Sequence, residues 1–112
     1  MLELTWSHDL QPSDTLKIDS LDDEWRDKDT IMLHACFQLL KDCVEKENLL
    51  NSHIDWSADK KHAEARNEIE LLYKWWLQRL LKEEQCGVSK EEYSYDDEML
   101  HRLIKVRWAL WA

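Results

Sequence analysis

The chain has 112 residues, a net charge of -9, seven Trp, and a single Gly and a single Pro. That length gives one domain able to bury a core without metal or disulfide. With Gly near 1% against about 7% on average, regular structure dominates and glycine-rich phosphate cradles are excluded. No apolar run approaches 18 residues, so no transmembrane helix is expected. The start lacks the basic and apolar regions of a signal peptide, which points to a chain that stays where it is made.

Residues 1–28 have no sustained period. Leu2, Leu4 and Trp6 alternate with Glu3 and Thr5, a weak strand pattern. Gln11-Pro12-Ser13-Asp14 is a turn signal. Ser20 with Asp23 predicts the cap of a short helix carrying Leu21 and Trp25. The expectation is an irregular arm, 1–28, with one short helix.

A first main helix is predicted from Thr30 to about Leu50, with Asp29 as N-cap. Leu33, Phe37, Leu40 and Val44 form its apolar face, broadened by Ile31, Cys36, Leu39 and Cys43. A second helix is predicted from Ser57 or Ala58 to about Lys82, with Ser57 as N-cap. Its stripe is Ala65, Ile69, Leu72, Trp76 and Leu80. Leu71, Trp75 and Leu81 lie off that stripe, so either this helix is central in the domain or its second face meets another chain. Adjacent residues on a helix point about 100° apart. Trp75 and Trp76 therefore cannot both face the core.

Gln85-Cys86-Gly87-Val88-Ser89 reads as a break, followed by an acidic loop. Ser94-Tyr95-Asp96-Asp97 reads as the capping box of a third helix running to the chain end. Leu100, Leu103, Ile104, Arg107, Leu110 and Trp111 would make its face, with Met99, Val106 and Trp108 spilling around it. An apolar C-terminal end of this kind is expected to be docked. The fold class is thus all-α: a three-helix bundle over 29–112 with the N-terminal arm across it, in one domain.

Charge is distributed in blocks. Residues 1–29 carry nine acids and three bases; residues 83–98 carry seven acids and one base. Residues 99–112 carry three bases and no acid. This balance disfavours direct nucleic-acid binding, which relies on neutralising phosphate. It favours a protein partner with a basic surface. Trp is enriched at interface hot spots. The partner-binding candidates are therefore Trp75, Trp108 and Trp111, with Glu91, Glu92, Asp96 and Asp97 as the steering acids. A homodimer through the same apolar faces is the related expectation.

Signals for chemistry are weak. Glu98-x-x-His101 has the spacing of carboxylate-bridged di-metal bundles, but no second copy occurs. His62, Glu64 and Glu68 sit among Lys61 and Arg66 like a solvated face. His34 suits a buried, hydrogen-bonded ring near Asp27 and Asp29; catalysis there would need a nucleophile supplied by the fold. His8-Asp9 lacks the companion His and Asp of a metal phosphohydrolase. Glu91-Glu92 and Asp96-Asp97-Glu98 do not meet the Glu-Glu-x-x-Glu pattern of nucleotide-pyrophosphatase bundles. Walker, Gly-x-Ser-x-Gly and Cys-x-x-Cys motifs are absent. Cys36, Cys43 and Cys86 read as free thiols, since Cys36 and Cys43 would lie about 10 Å apart along one helix. No cofactor, catalytic residue or metal ligand is assigned.

The stretch from Leu33 to Glu47, beginning Leu33-His34-Ala35-Cys36-Phe37-Gln38, resembles a motif of small uncharacterised bacteriophage proteins, Leu-His-Ala-x-Phe-Gln-x-Leu-x-Asp-x-Val-Glu. Their acidic, Trp-bearing lead-in is similar to Trp25-Arg26-Asp27-Lys28-Asp29. Their Glu-hydrophobic-hydrophobic-Tyr-x-Trp-Trp run is similar to Glu70-Leu71-Leu72-Tyr73-Lys74-Trp75-Trp76. The resemblance implies a virus of bacteria and action in the host cell cytoplasm. It brings no functional residues. By class it implies a non-enzymatic protein that docks on a host or viral protein to inhibit or adapt it, as an anti-defence inhibitor does. The alternatives are a homo-oligomeric phage structural or assembly component, and a metal-dependent helical-bundle enzyme around Glu98, His101, His34 and Glu68.

Overall fold

The computed structural model describes residues 2–5, 15–22, 24, 27–51, 55–86 and 90–110. Helix dominates, so the chain is broadly all-α, with one small two-stranded sheet. It forms two compact units, residues 1–39 and residues 40–112. No helix among the described residues is long and apolar enough to cross a membrane.

In the first unit, β1 (Leu2–Thr5) pairs antiparallel with β2 (Thr15–Ile18), Leu2 opposite Ile18 and Leu4 opposite Leu16. Strand alternation puts Leu16 and Ile18 on the buried face and leaves Lys17 in water. Leu16, Ile18 and Leu21 form a small core, packed against by Leu2, Ile31 and Ala35. Instead of a short helix after Ser20, Asp19 and Ser20 make a turn, closed by the Leu21 N–H donating to the Ile18 carbonyl at 3.3 Å. The competing signal was Thr15-Leu16-Lys17-Ile18, four residues whose alternation needs the β1 edge to be worth forming. The predicted turn at 11–14 and Trp6, Asp23 and Trp25 lie outside the described residues.

The helix α1 (Lys28–Glu45) begins two residues before the predicted start. Asp29 accepts from the Thr30 N–H at 2.9 Å and sits in the first turn, where the helix dipole favours a carboxylate. The buried side of α1 carries two polar groups, His34 and Gln38. His34 Nδ1 lies 2.6 Å from Ser20 Oγ. Gln38 accepts from the Asp19 N–H at 3.1 Å and donates to the Asp19 carboxylate at 3.4 Å. The sequence reading of His34 as a buried, hydrogen-bonded ring agrees with its burial and with the Ser20 hydroxyl beside its Nδ1. Burial without such partners would cost about 1–3 kcal/mol per group. These bonds therefore fix the turn at 19–20 onto α1.

α1 stops five residues before the predicted Leu50. Asn48 takes a left-handed conformation, φ 52°, which Asn tolerates better than most residues. The Asn51 N–H donates to the Asn48 carbonyl at 3.0 Å, closing a 3-10 turn, Leu49–Asn51, that buries Leu49.

The second unit holds the last turn of α1 with α2 (Lys60–Cys86) and α3 (Lys90–Val106), in a bundle-like arrangement. Asp59, not Ser57, caps α2: its carboxylate accepts from the His62 N–H at 2.8 Å. Ser57 is used one turn earlier, donating through both its N–H and its hydroxyl to Asp55. α2 runs four residues beyond the predicted end and buries Ala65, Ile69, Leu72, Trp76 and Arg79, one continuous stripe. Tyr73 donates to Glu45 at 2.7 Å and joins α2 to the end of α1.

The largest difference from the predicted fold is at α3. The expected acidic loop is helix, beginning at Lys90 with Glu91 and Glu92 in its first turn. Ser94 lies inside the helix rather than capping it. The buried residues are Asp96, Met99, Leu103 and Val106, continued by Ala109 in a 3-10 segment, Arg107–Leu110. The core face is thus rotated from the predicted one, and Ile104 is exposed. The dipole explains why acids open this helix, and Asp96 explains the rotation.

Candidate functional site

α2 and α3 run antiparallel, as three cross-helix ion pairs show: Lys82–Glu92, Arg79–Asp96 and Arg102–Glu68. The central pair is buried. Arg79 continues the Ala65–Ile69–Leu72–Trp76 stripe of α2 and is 6% exposed; Asp96 opens the core face of α3 and is 4% exposed. Nε and Nη2 of Arg79 donate to the two carboxylate oxygens of Asp96, each at 2.7 Å. Nη1 donates to Glu83 at 3.2 Å. Each of the three guanidinium nitrogens therefore faces a carboxylate. The bond to Asp96 is the main reason the Arg79 pKa is raised above its ordinary value. Bidentate, charge-assisted pairing of this kind makes burial of both charges tolerable.

Above this pair α2 and α3 enclose an open cleft of about 490 Å³. Trp75, Leu81 and Tyr95 supply its apolar lining. Trp75 and Tyr95 meet edge to face, with ring centroids 6.0 Å apart. Trp75 also packs at 6.1 Å on Trp76, which is 1% exposed. The paired tryptophans are thus split as predicted, Trp76 to the core and Trp75 half-buried at the cleft. Gln78 and Gln85 add uncharged hydrogen-bonding groups, and Lys82 is held by Glu92 at 3.0 Å. Glu84, Glu91, Asp97 and Glu98 are exposed on the two helices that form the cleft.

The structure brings together three of the predicted contact residues: Trp75, Glu92 and Asp96 all line the cleft. Asp96 does so as a buried partner of Arg79, not as an exposed steering acid. Glu92 is half-buried and paired; Glu91 and Asp97 are in water. Trp108 lies elsewhere, at the opposite end of α2. There Lys61 Nζ sits 4.2 Å from its ring centroid and His62 meets it edge-on at 5.4 Å. Those contacts use the ring within the unit, although it stays 38% exposed. Trp111 lies outside the described residues.

Two residues central to the cleft, Arg79 and Tyr95, were not singled out from the sequence. Arg79 falls one turn beyond Trp76, where the predicted stripe had its neighbour Leu80, and Leu80 is only half-buried. The Ser94 cap makes Tyr95 a first-turn residue, whereas α3 begins at Lys90 and carries it one turn further in.

Elsewhere the chemistry is quieter. Glu98 and His101 are both exposed, and Glu68 pairs with Arg102 at 2.6 Å. Among the described residues no three His, Cys, Asp or Glu side chains gather as a metal site would require. Cys36 and Cys43 are free and half-buried. Burial pushes both thiols up, Cys43 to about 12 with help from Glu47. Neither is a poised nucleophile, since the thiolate is the reactive form. Comparison with known proteins finds no matching family model, curated protein or solved structure.

Proposed function

We propose that this chain is a non-enzymatic binding protein that docks through the α2–α3 cleft on a protein with a basic surface. The observation that carries this is the cleft itself: Trp75 and Tyr95 lie between helices whose exposed side chains include Glu84, Glu91, Asp97 and Glu98. Aromatic side chains give contact area at low entropic cost. The acids around them raise the encounter rate with a basic patch and reject acidic competitors. The resemblance of residues 33–47 and 70–76 to small bacteriophage proteins supports a viral origin and action in the host cytoplasm. Inhibition or adaptation of a host or viral protein, including a defence component, is the role that follows from that origin.

The test is capture from bacterial lysate, followed by binding of the purified partner at several salt concentrations. A stoichiometric partner whose binding weakens with salt and with Tyr95→Leu supports the proposal. Salt-independent binding that ignores the cleft variant contradicts it.

Exposed Leu71, Leu81 and Ile104 favour a second reading, a homo-oligomeric assembly component. Light scattering separates the two: a large closed or extended assembly supports the second, a monomer or dimer the first.

A further inference from the structure

Two clefts of the second unit open on one side of the α2–α3 pair. Besides the cleft over Arg79, a smaller one of about 230 Å³ is lined by Lys61, Glu68, Arg102, Lys105 and Trp108. Lys61, Glu68, Trp75 and Lys82 follow one another at seven-residue steps along α2, and such steps drift only about 20° each on a straight helix. Tyr95 and Arg102 repeat the step on α3. The two clefts are therefore the ends of one groove, and from Lys61 to Lys82 the helical rise is about 32 Å.

The ends of this groove differ in charge. Glu91, Glu98 and Lys105, again seven apart, share one exposed stripe of α3 that runs from acid to base. At the Tyr95 end, Glu83, Glu92 and Asp96 are engaged by Arg79 and Lys82. That leaves Glu84, Glu91, Asp97 and Glu98 exposed within residues 83–98, against Lys90. At the Trp108 end, Glu64 is paired with Lys60 and Glu68 with Arg102. Lys61 Nζ lies over the Trp108 ring. Lys105 and Arg107 are exposed and form no ion pair among the described residues. The Debye length is about 8 Å at physiological ionic strength, so ends this far apart do not neutralise each other within one chain.

A surface complementary to this groove sets base against Glu91 and Glu98, and acid against Lys61 and Lys105 at the far end. A second copy turned end for end has that arrangement. A parallel copy sets acid on acid. Copies joined end to end leave exposed Leu71 and half-buried Trp75, midway along the groove, in water. In a two-fold contact each favourable pairing occurs twice.

We propose that two copies of this chain pair antiparallel across the α2–α3 groove, the Trp108 end of each lying on the Tyr95 end of the other. The exposed Trp108 ring then meets the Trp75–Tyr95 pair, a contact that aromatic side chains favour. Self-association goes beyond docking on another protein and does not rest on it; a captured partner would compete with the second copy for the Tyr95 end.

The test is sedimentation velocity and light scattering on the full chain and two variants of exposed residues. Lys61→Glu with Lys105→Glu reverses the basic end; Glu91→Lys with Glu98→Lys reverses the acidic end. The parent is expected to dimerise reversibly below millimolar concentration. Each variant alone should dissociate at least about tenfold more readily, since like charges then face each other at both ends of the pair. Mixed in equal amounts, the two variants should regain the parent dimer, because one end of the mixed pair is unchanged and the other carries both reversals. Helical circular dichroism checks that each variant folds. If one does not, isotope-filtered NOEs between a labelled and an unlabelled copy of the parent should still link Trp108 of one to Trp75 or Tyr95 of the other. A parent that stays monomeric at millimolar concentration, variants that dimerise as well as the parent, a mixture that stays monomeric, or an extended assembly would overturn the proposal. Lysate capture of a basic partner is read separately, so either can fail without the other.

Discussion

Arg79 and Asp96 meet through two hydrogen bonds of 2.7 Å while both side chains are almost fully buried. One lies on the core stripe of α2, the other at the head of the core stripe of α3. This pair sets the rotation of α3 and forms the floor of the cleft.

Removing one member leaves the other charge buried with too few partners. Asp96→Ala should therefore destabilise the chain by about 3–5 kcal/mol, whereas replacing both residues by leucines of matched volume should be close to neutral. Urea unfolding of the single and double variants checks this. A single variant within about 0.5 kcal/mol of the parent would show that the pair does not fix α3.

A smaller effect is expected at the first turn of the N-terminal unit. Ser20→Ala deprives the buried Nδ1 of His34 of its hydroxyl and should cost about 1–3 kcal/mol. Amide exchange of β2 and of Leu21 should accelerate with it, because the turn at 19–20 would lose its tie to α1.

Asp59, rather than Ser57, should matter for α2. Asp59→Ala should lower stability measurably and Ser57→Ala should do less, since only Asp59 accepts from the His62 N–H. The His62 N–H is also the main reason the Asp59 pKa lies below the usual carboxylate value. The folded pKa being depressed, the cap is complete above about pH 4. It is lost as pH falls through the folded value. Asp59→Ala should therefore flatten the acid limb of thermal stability below about pH 4.

Cys43 gives the opposite sign. Its folded thiol is pushed up to about 12, mainly by burial and then by Glu47. Its contribution to stability is therefore present below the unfolded thiol value of about 8.5 and drains as pH rises above it. At pH 8 iodoacetamide should modify Cys43 much more slowly in the folded chain than in urea. Equal rates would contradict the burial.

The sequence made much of the fold legible. The i, i+4, i+7 spacing of Ala65, Ile69, Leu72 and Trp76 specifies the buried side of α2 because tertiary packing and helical period agree there. The adjacency of Trp75 and Trp76 correctly implied one core and one surface ring. The hairpin and α3 were harder. β2 has only four residues, and its worth depends on β1, ten residues earlier. In α3, the acids before Ser94 read as solvated loop and Asp96 as an exposed first-turn acid, because the sequence does not reveal that Asp96 will find Arg79 seventeen residues away. Polar residues on core faces, Arg79, Asp96, His34 and Gln38, are where hydrophobic periodicity is silent. Two of those four line the cleft.

The central claim is that the α2–α3 cleft is the docking surface, and amide exchange with and without the captured partner tests it most directly. The account predicts new protection concentrated in residues 75–86 and 90–98. Protection confined to the Lys60–Arg66 and Arg102–Leu110 end, or to α1, would contradict it.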